Sequence, residues 1–197
     1  MNKSELIEYL KRESFSENII KAFKKIKRED FIPKELKNFA YENQPLPLGL
    51  GATISQPYTI AFMLDLLELK DNQKILEIGS GSGYVLALIN EMSKNSEIYG
   101  IERILELVEK SKKVLKKNKN IHVINMDGSK GLKEESSFDR ILISASANEI
   151  PEHLFSQLKE NGILVLPVQN SIFQIKKQKE KIIKKEFPGF VFVPLVE

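Results

Sequence analysis

The chain of 197 residues has no cysteine and no tryptophan, and only two histidines. Without cysteine there is no disulfide framework, no thiolate nucleophile and no cysteine-bound metal. No run of about 18 uncharged apolar residues occurs, and Met1 to Glu8 carries acidic residues where a signal peptide needs an apolar stretch. A cytoplasmic protein without a membrane partner is the expectation. Charge of one sign is also scarce in excess: 30 Lys+Arg against 27 Asp+Glu leave a net +3, too little to imply a polyanionic partner such as nucleic acid. What is present, 42% hydrophobic and 29% charged residues, excludes disorder or a fibrous fold for the bulk of the chain. The length suits a single domain, here expected to be a monomer.

Residues 4–39 read as short helices, with Ile19, Ile20, Phe23 and Ile26 at helical spacing and Ser14-Phe15-Ser16-Glu17 fitting a capping box. Gln44 to Ala52 holds two prolines and two glycines in nine residues, which forbids regular helix and predicts an ordered loop. Pro57 suits the first turn of a helix whose apolar face is Ile60, Phe62, Met63, Leu64, Leu66 and Leu67. From residue 73 strand and helix patterns alternate: strands at Lys74–Ile78, Glu97–Ile101, Ile121–Ile124, Phe138–Ser144 and Gly162–Leu166, helices at 83–93, 104–118 and near 151–159. Such alternation predicts an α/β fold, a doubly wound and mostly parallel sheet with helices on both faces. Stretches 171–177, 180–187 and 190–196 read as antiparallel edge strands. The expected organisation is one domain, with a helical extension and loop over 1–56, an α/β core over 57–168 and a β segment over 169–197.

Glu77-Ile78-Gly79-Ser80-Gly81-Ser82-Gly83-Tyr84 falls where the first core strand turns into its helix, the place where open α/β folds bind ligands. A dinucleotide fingerprint needs a third glycine where this chain has Tyr84, and a Walker lysine is absent. Glu102 ends the second core strand, where a carboxylate can accept from both hydroxyls of a ribose or simply be solvated. Asp127-Gly128 follows the third, as a ligand contact or as a turn. The glycine pattern resembles the first motif of class I S-adenosylmethionine-dependent methyltransferases, which have a Rossmann-like fold.

A narrower resemblance is carried by Pro45-Leu46-Pro47-Leu48-Gly49 and Gly51-Ala52-Thr53-Ile54-Ser55-Gln56-Pro57-Tyr58. It continues through Ile101-Glu102-Arg103, Met126-Asp127-Gly128, Glu149-Ile150-Pro151, Leu166-Pro167-Val168 and Phe192-Val193-Pro194-Leu195-Val196. In this order, over nearly the whole chain, the sequence is similar to the protein-L-isoaspartate O-methyltransferases. The resemblance implies methyl transfer from S-adenosylmethionine to the free carboxylate of L-isoaspartyl residues in damaged proteins and peptides. It implies Ser55 as the active-site serine; Thr53, Gln56, Glu77, Gly79, Gly81, Gly83, Glu102, Asp127 and Gly128 around the cofactor; and Ile54, Ser55, Ala145 and Val193 toward the substrate. From the residues alone, Ser55 reads rather as a cap for the helix beginning near Pro57.

The chemistry agrees with what is missing. A carboxylate with an ordinary pKa near 4 is already a nucleophile at neutral pH, so neither a general base nor a metal is needed. His122, in a strand pattern, and His153, in a helix pattern, are then structural. Departures from the family pattern lie at Ser146-Ala147-Asn148, Gln169 and Val191, and bear on substrate preference. Two rivals remain: a class I methyltransferase with another acceptor, and a non-enzymatic binder holding nucleic acid through the lysines at 110–119 or 176–185.

Overall fold

The computed structural model describes residues 1–145, 147–179 and 181–190. Helices α1 (Lys3–Arg12) and α2 (Glu17–Lys25) precede two short 3-10 helices, Arg28–Asp30 and Lys34–Phe39. A hairpin of β1 (Leu46–Gly49) and β2 (Ala52–Ile54) leads into α3 (Pro57–Leu66). Then come β3 (Lys74–Ile78), α4 (Tyr84–Met92), β4 (Glu97–Glu102), α5 (Leu105–Leu115), β5 (Ile121–Asn125) and β6 (Phe138–Ile143). A long β7 (Leu158–Val168) and the antiparallel β8 (Ser171–Gln178) and β9 (Lys181–Pro188) complete the sheet.

Seven strands lie in the order β5-β4-β3-β6-β7-β8-β9, parallel from β5 to β7 and antiparallel beyond. The parallel strands are apolar runs because both faces are buried. Ile75, Ile98, Val123 and Leu142 face one core with α1 to α5, while Leu76, Tyr99, Ile101 and Ile141 face a second. That second face is covered by Leu132 and Leu154, from segments carrying the 3-10 helices Lys133–Glu135 and Glu152–Gln157. Order reverses between β3 and β6, so the crevice for a ligand opens beyond Ile78 and Ile143.

The N-terminal helices dock on this core through Tyr84, whose buried ring meets Phe31 at 5.4 Å and Phe23 at 6.2 Å between centroids. Arg28 is fully buried over the same ring, 5.5 Å from its centroid, and burial pushes its pKa down to about 10. The residue that replaces the third glycine of a dinucleotide fingerprint is therefore an anchor for the N-terminal extension.

Three expectations need correction. No capping box forms at Ser14 to Glu17: Ser16 precedes α2 without a side-chain cap bond, and Ser14 turns the chain at φ +62°. The reciprocal box belongs to Asn2 and Glu5 at α1. The loop expected over 44–52 contains strand β1, because Pro47 sits in a two-stranded hairpin that tolerates its missing N–H. The helix expected near 151–159 is a 3-10 helix over Glu152–Gln157, and β7 starts at Leu158, paired with Phe138, before a register shift to Ile163 opposite Arg140. The strand expected over 190–196 lies, from residue 191 on, outside the described residues, as do Val191 and Val193.

Candidate functional site

At the crevice the chain turns through Gly79, Gly81 and Gly83, with φ of +79°, +51° and +82°, values that favour glycine. The N–H groups of Gly79 and Ser80 both donate to Ile101 O, at 2.8 and 2.9 Å, which fixes this loop to the end of β4. Gly79 and Gly81 line a cavity of about 1120 Å³. Gly83 does not: a Cβ there would stand 2.8 Å from Leu115 Cδ1, so its place is in the packing of α5 against the start of α4.

Glu102 closes the loop from the other side. Only 7% exposed, it accepts from Gly81 N through Oε2 and from Ile104 N through Oε1, each at 2.9 Å. Each oxygen retains a lone pair, and the carboxylate lines the cavity. Asp127 accepts from Ser129 N and Ser129 Oγ, both at 2.9 Å, and these bonds hold its carboxyl below the usual range. His153 Nε2 lies 2.8 Å from Ser129 O and braces that turn, while His122 stacks on Tyr99; neither ring lines the cavity. Gly128 must be small, since a Cβ would lie 2.5 Å from Ile78 Cγ2.

Ala145 lines the cavity opposite Gly79, where a Cβ on the glycine would meet the alanine's at 3.6 Å. Thr53 enters from β2, and Ser55 and Gln56 from the link between β2 and α3. The helix-cap alternative for Ser55 does not hold. The N-cap residue of α3 is Gln56, with no side-chain cap bond, and the first-turn N–H of Tyr58 donates to Asn43 Oδ1 at 3.0 Å. Ile54 and Glu77 sit behind, in a smaller pocket that shares Thr53, Ser55, Gly79 and Ser144 with the main cavity.

Glu77 is buried. Its Oε1 accepts from Ser144 Oγ at 2.6 Å, and its Oε2 has no partner among the described residues. Desolvation pushes its pKa from an ordinary 4.5 up to about 8; the Ser144 bond opposes this and the charge of Glu102 adds to it. Between these two values the folded protein holds a proton that the unfolded chain releases. The stability contributed by that proton is complete below the lower value and is lost as pH rises toward the upper one, with a slope of at most about 1.4 kcal/mol per unit. Denaturant melts from pH 4 to 9 check this: the fall should be present in the unaltered protein and absent in Glu77→Gln.

The sequence pattern missed one wall of the cavity. Tyr9 from α1, Tyr58 and Phe62 from α3, and Phe187 and Phe190 at the end of β9 all line it. Phe62 meets Phe190 at 5.0 Å and Phe187 at 5.4 Å between centroids, and Tyr58 meets Phe62 at 6.3 Å. The available signal was the pair of phenylalanines around Pro188-Gly189, a turn too apolar for an ordinary loop. The lysines of the C-terminal strands are partly committed within the chain: Lys176 pairs with Glu68 at 2.5 Å and Lys184 with Glu152 at 2.8 Å. Among the described residues no three His, Asp or Glu side chains group to hold a metal, and no helix is long and apolar enough to cross a membrane.

This geometry has close relatives. A protein-L-isoaspartate O-methyltransferase of Petrotoga mobilis is 46% identical, covering 97% of this chain and 93% of the relative. Its counterpart in Dictyoglomus thermophilum is 42% identical over 98% of this chain and 90% of its own. A solved structure from Plasmodium falciparum, described as a protein-L-isoaspartate O-methyltransferase in complex with S-adenosyl-L-homocysteine, superposes with a TM-score of 0.86 and 29% identity. It is covered over 99% of its length, and this chain over 100%. A sequence model of one family, protein-L-isoaspartate(D-aspartate) O-methyltransferase, matches residues 1–197, and to that family this chain belongs.

Proposed function

We propose that this protein transfers the methyl group of S-adenosylmethionine to the free α-carboxylate of L-isoaspartyl residues in damaged proteins and peptides, as a repair reaction. One observation carries the reading: Ser55, without a hydrogen bond from its side chain among the described residues, shares one cavity with the Gly79–Gly81 loop and Glu102. The residues suit the cofactor. Gly79 and Gly81 leave bare backbone toward the cavity, Glu102 has lone pairs to accept from ribose hydroxyls, and Asp127 with Gly128 flanks the place for the adenine. Thr53 and Gln56 lie beside it, and Glu77 supports the loop from behind.

When bound, S-adenosylmethionine supplies a methyl group on a positively charged sulfur. The acceptor carboxylate is ionised at neutral pH, so no side chain has to take a proton. The protein's part is to hold this carboxylate in line and keep water out. Ser55 Oγ–H donates to the oxygen that does not attack and leaves the other free. Ser55 and Ala145 line the small seat around it, with Ile54 behind Ser55 in the adjoining pocket. In this reading the partners are isoaspartyl-containing proteins and peptides, neither nucleic acid nor membrane takes part, and the protein works as a cytoplasmic monomer.

An isoaspartyl residue carries its carboxylate on the main-chain α-carbon and routes the backbone through one extra methylene. A seat shaped for that carboxylate misplaces the side-chain carboxylate of aspartate by about 1 Å, enough to cost on the order of 100-fold in rate. Incubation with labelled S-adenosylmethionine and a peptide pair, one isoaspartyl and one aspartyl, should show at least that difference. Equal rates would sink the assignment.

A further inference from the structure

Resting on the acceptor assigned above, we infer that the apolar end of the cavity binds an apolar side chain next to the isoaspartyl residue, with Leu50 as a specificity-determining residue for the substrate. The hairpin tip Gly49-Leu50-Gly51 is left-handed throughout, with φ of +89°, +55° and +77°. A leucine is disfavoured in that conformation, where glycine or asparagine would be at ease. Nor does its side chain recover the cost by packing, because Leu50 is 61% exposed. Among the described residues a Cβ on either neighbouring glycine would meet nothing within 4 Å, so the tip stands clear of them. Fold stability thus gives no reason for leucine at this point, yet Leu50 lines the cavity.

The rest of that apolar end is aromatic. Tyr9, Tyr58, Phe62 and Phe187 reach it from three separate elements and contact one another in a chain of tilted, stacked and edge-on rings. The whole cavity, about 1120 Å³, exceeds the range of about 300–1000 Å³ ordinary for one small ligand. Ser55 lies in the same cavity, so a peptide whose carboxylate sits at Ser55 carries its neighbouring residues over this surface. Successive side chains of an extended peptide point to opposite sides. A residue adjacent to the isoaspartyl position can therefore enter between Leu50 and the rings.

Binding of this kind is felt equally in the ground and transition states, so it lowers KM and leaves kcat alone. Isoaspartyl peptides that differ only in one flanking residue, leucine or serine, placed before or after the isoaspartyl position, test it. The leucine peptide should have a KM roughly 10-fold lower at one of the two flanks. Leu50→Asn should reduce that ratio at least about threefold, while its melting temperature stays level or rises because asparagine suits the left-handed tip. Leu50→Gly, which relieves the same conformation, should act likewise. Equal KM values at both flanks, or a ratio that survives both substitutions, would overturn the inference with isoaspartyl methylation intact. Failure to methylate any isoaspartyl peptide would instead overturn the acceptor assignment, and the inference with it.

Discussion

Replacing Ser55 with alanine should lower turnover roughly 10- to 1000-fold, the range spanned by one hydrogen bond that positions a reacting group. Affinity for S-adenosylmethionine should change far less, since the role proposed for Ser55 is on the acceptor. The melting temperature should stay where it is: the N-cap of α3 is Gln56, and the first-turn N–H of Tyr58 is served by Asn43 from a distant segment. Those three measurements on one variant separate two roles. Loss of about 1 kcal/mol of stability with near-normal turnover is what a helix cap would give.

The second large effect is expected at Glu102. Its carboxylate already holds Gly81 N and Ile104 N, and it faces the cavity. In the proposed reading Glu102→Ala removes the acceptor for both ribose hydroxyls, bonds worth about 1.5–3 kcal/mol each when charge-assisted. It also leaves two backbone donors without their partner, so the glycine loop loses its tie at Gly81 while those at Gly79 and Ser80 remain. Affinity for S-adenosylmethionine and its demethylated product should fall roughly 100- to 10,000-fold by calorimetry. Glu102→Gln should fall between, because one amide oxygen can still accept while the amide nitrogen faces a backbone donor. NAD should not bind the unaltered protein measurably. Unchanged affinity in a folded Glu102→Ala protein would mean that this carboxylate does not hold the ribose.

Much of this was legible in the chain. The alternation from Lys74 onward predicts the parallel sheet because strands buried on both faces must be apolar, and the structure places Gly79, Glu102 and Asp127 where their strands end. What could not be read depended on distant partners. Tyr9 reads as one more residue of a helical extension, and only the docking of α1 beside Tyr58, 6.2 Å between ring centroids, brings it to the cavity. Gly83 matches the loop motif yet packs under Leu115, a contact between two helices that no spacing encodes. The proline-rich stretch before Ser55 has the composition of a loop, and its pairing as β1 with β2 depends on a bulge between Pro47 and Gly49. Ser14 to Glu17 has the letters of a capping box, but the left-handed Ser14 turns its side chain out of the helix register.

The most direct measurement is to locate the methyl group in the product. A single peptide carrying one isoaspartyl residue, one aspartate, one glutamate, one lysine and a free C-terminus offers every competing acceptor at the same concentration. After reaction with S-adenosylmethionine, fragmentation mass spectrometry should find one methyl ester, on the α-carboxylate of the isoaspartyl residue, with the other groups unmodified. Methyl groups on the aspartate, glutamate or lysine at comparable yield, or none on the isoaspartyl residue, would contradict the account.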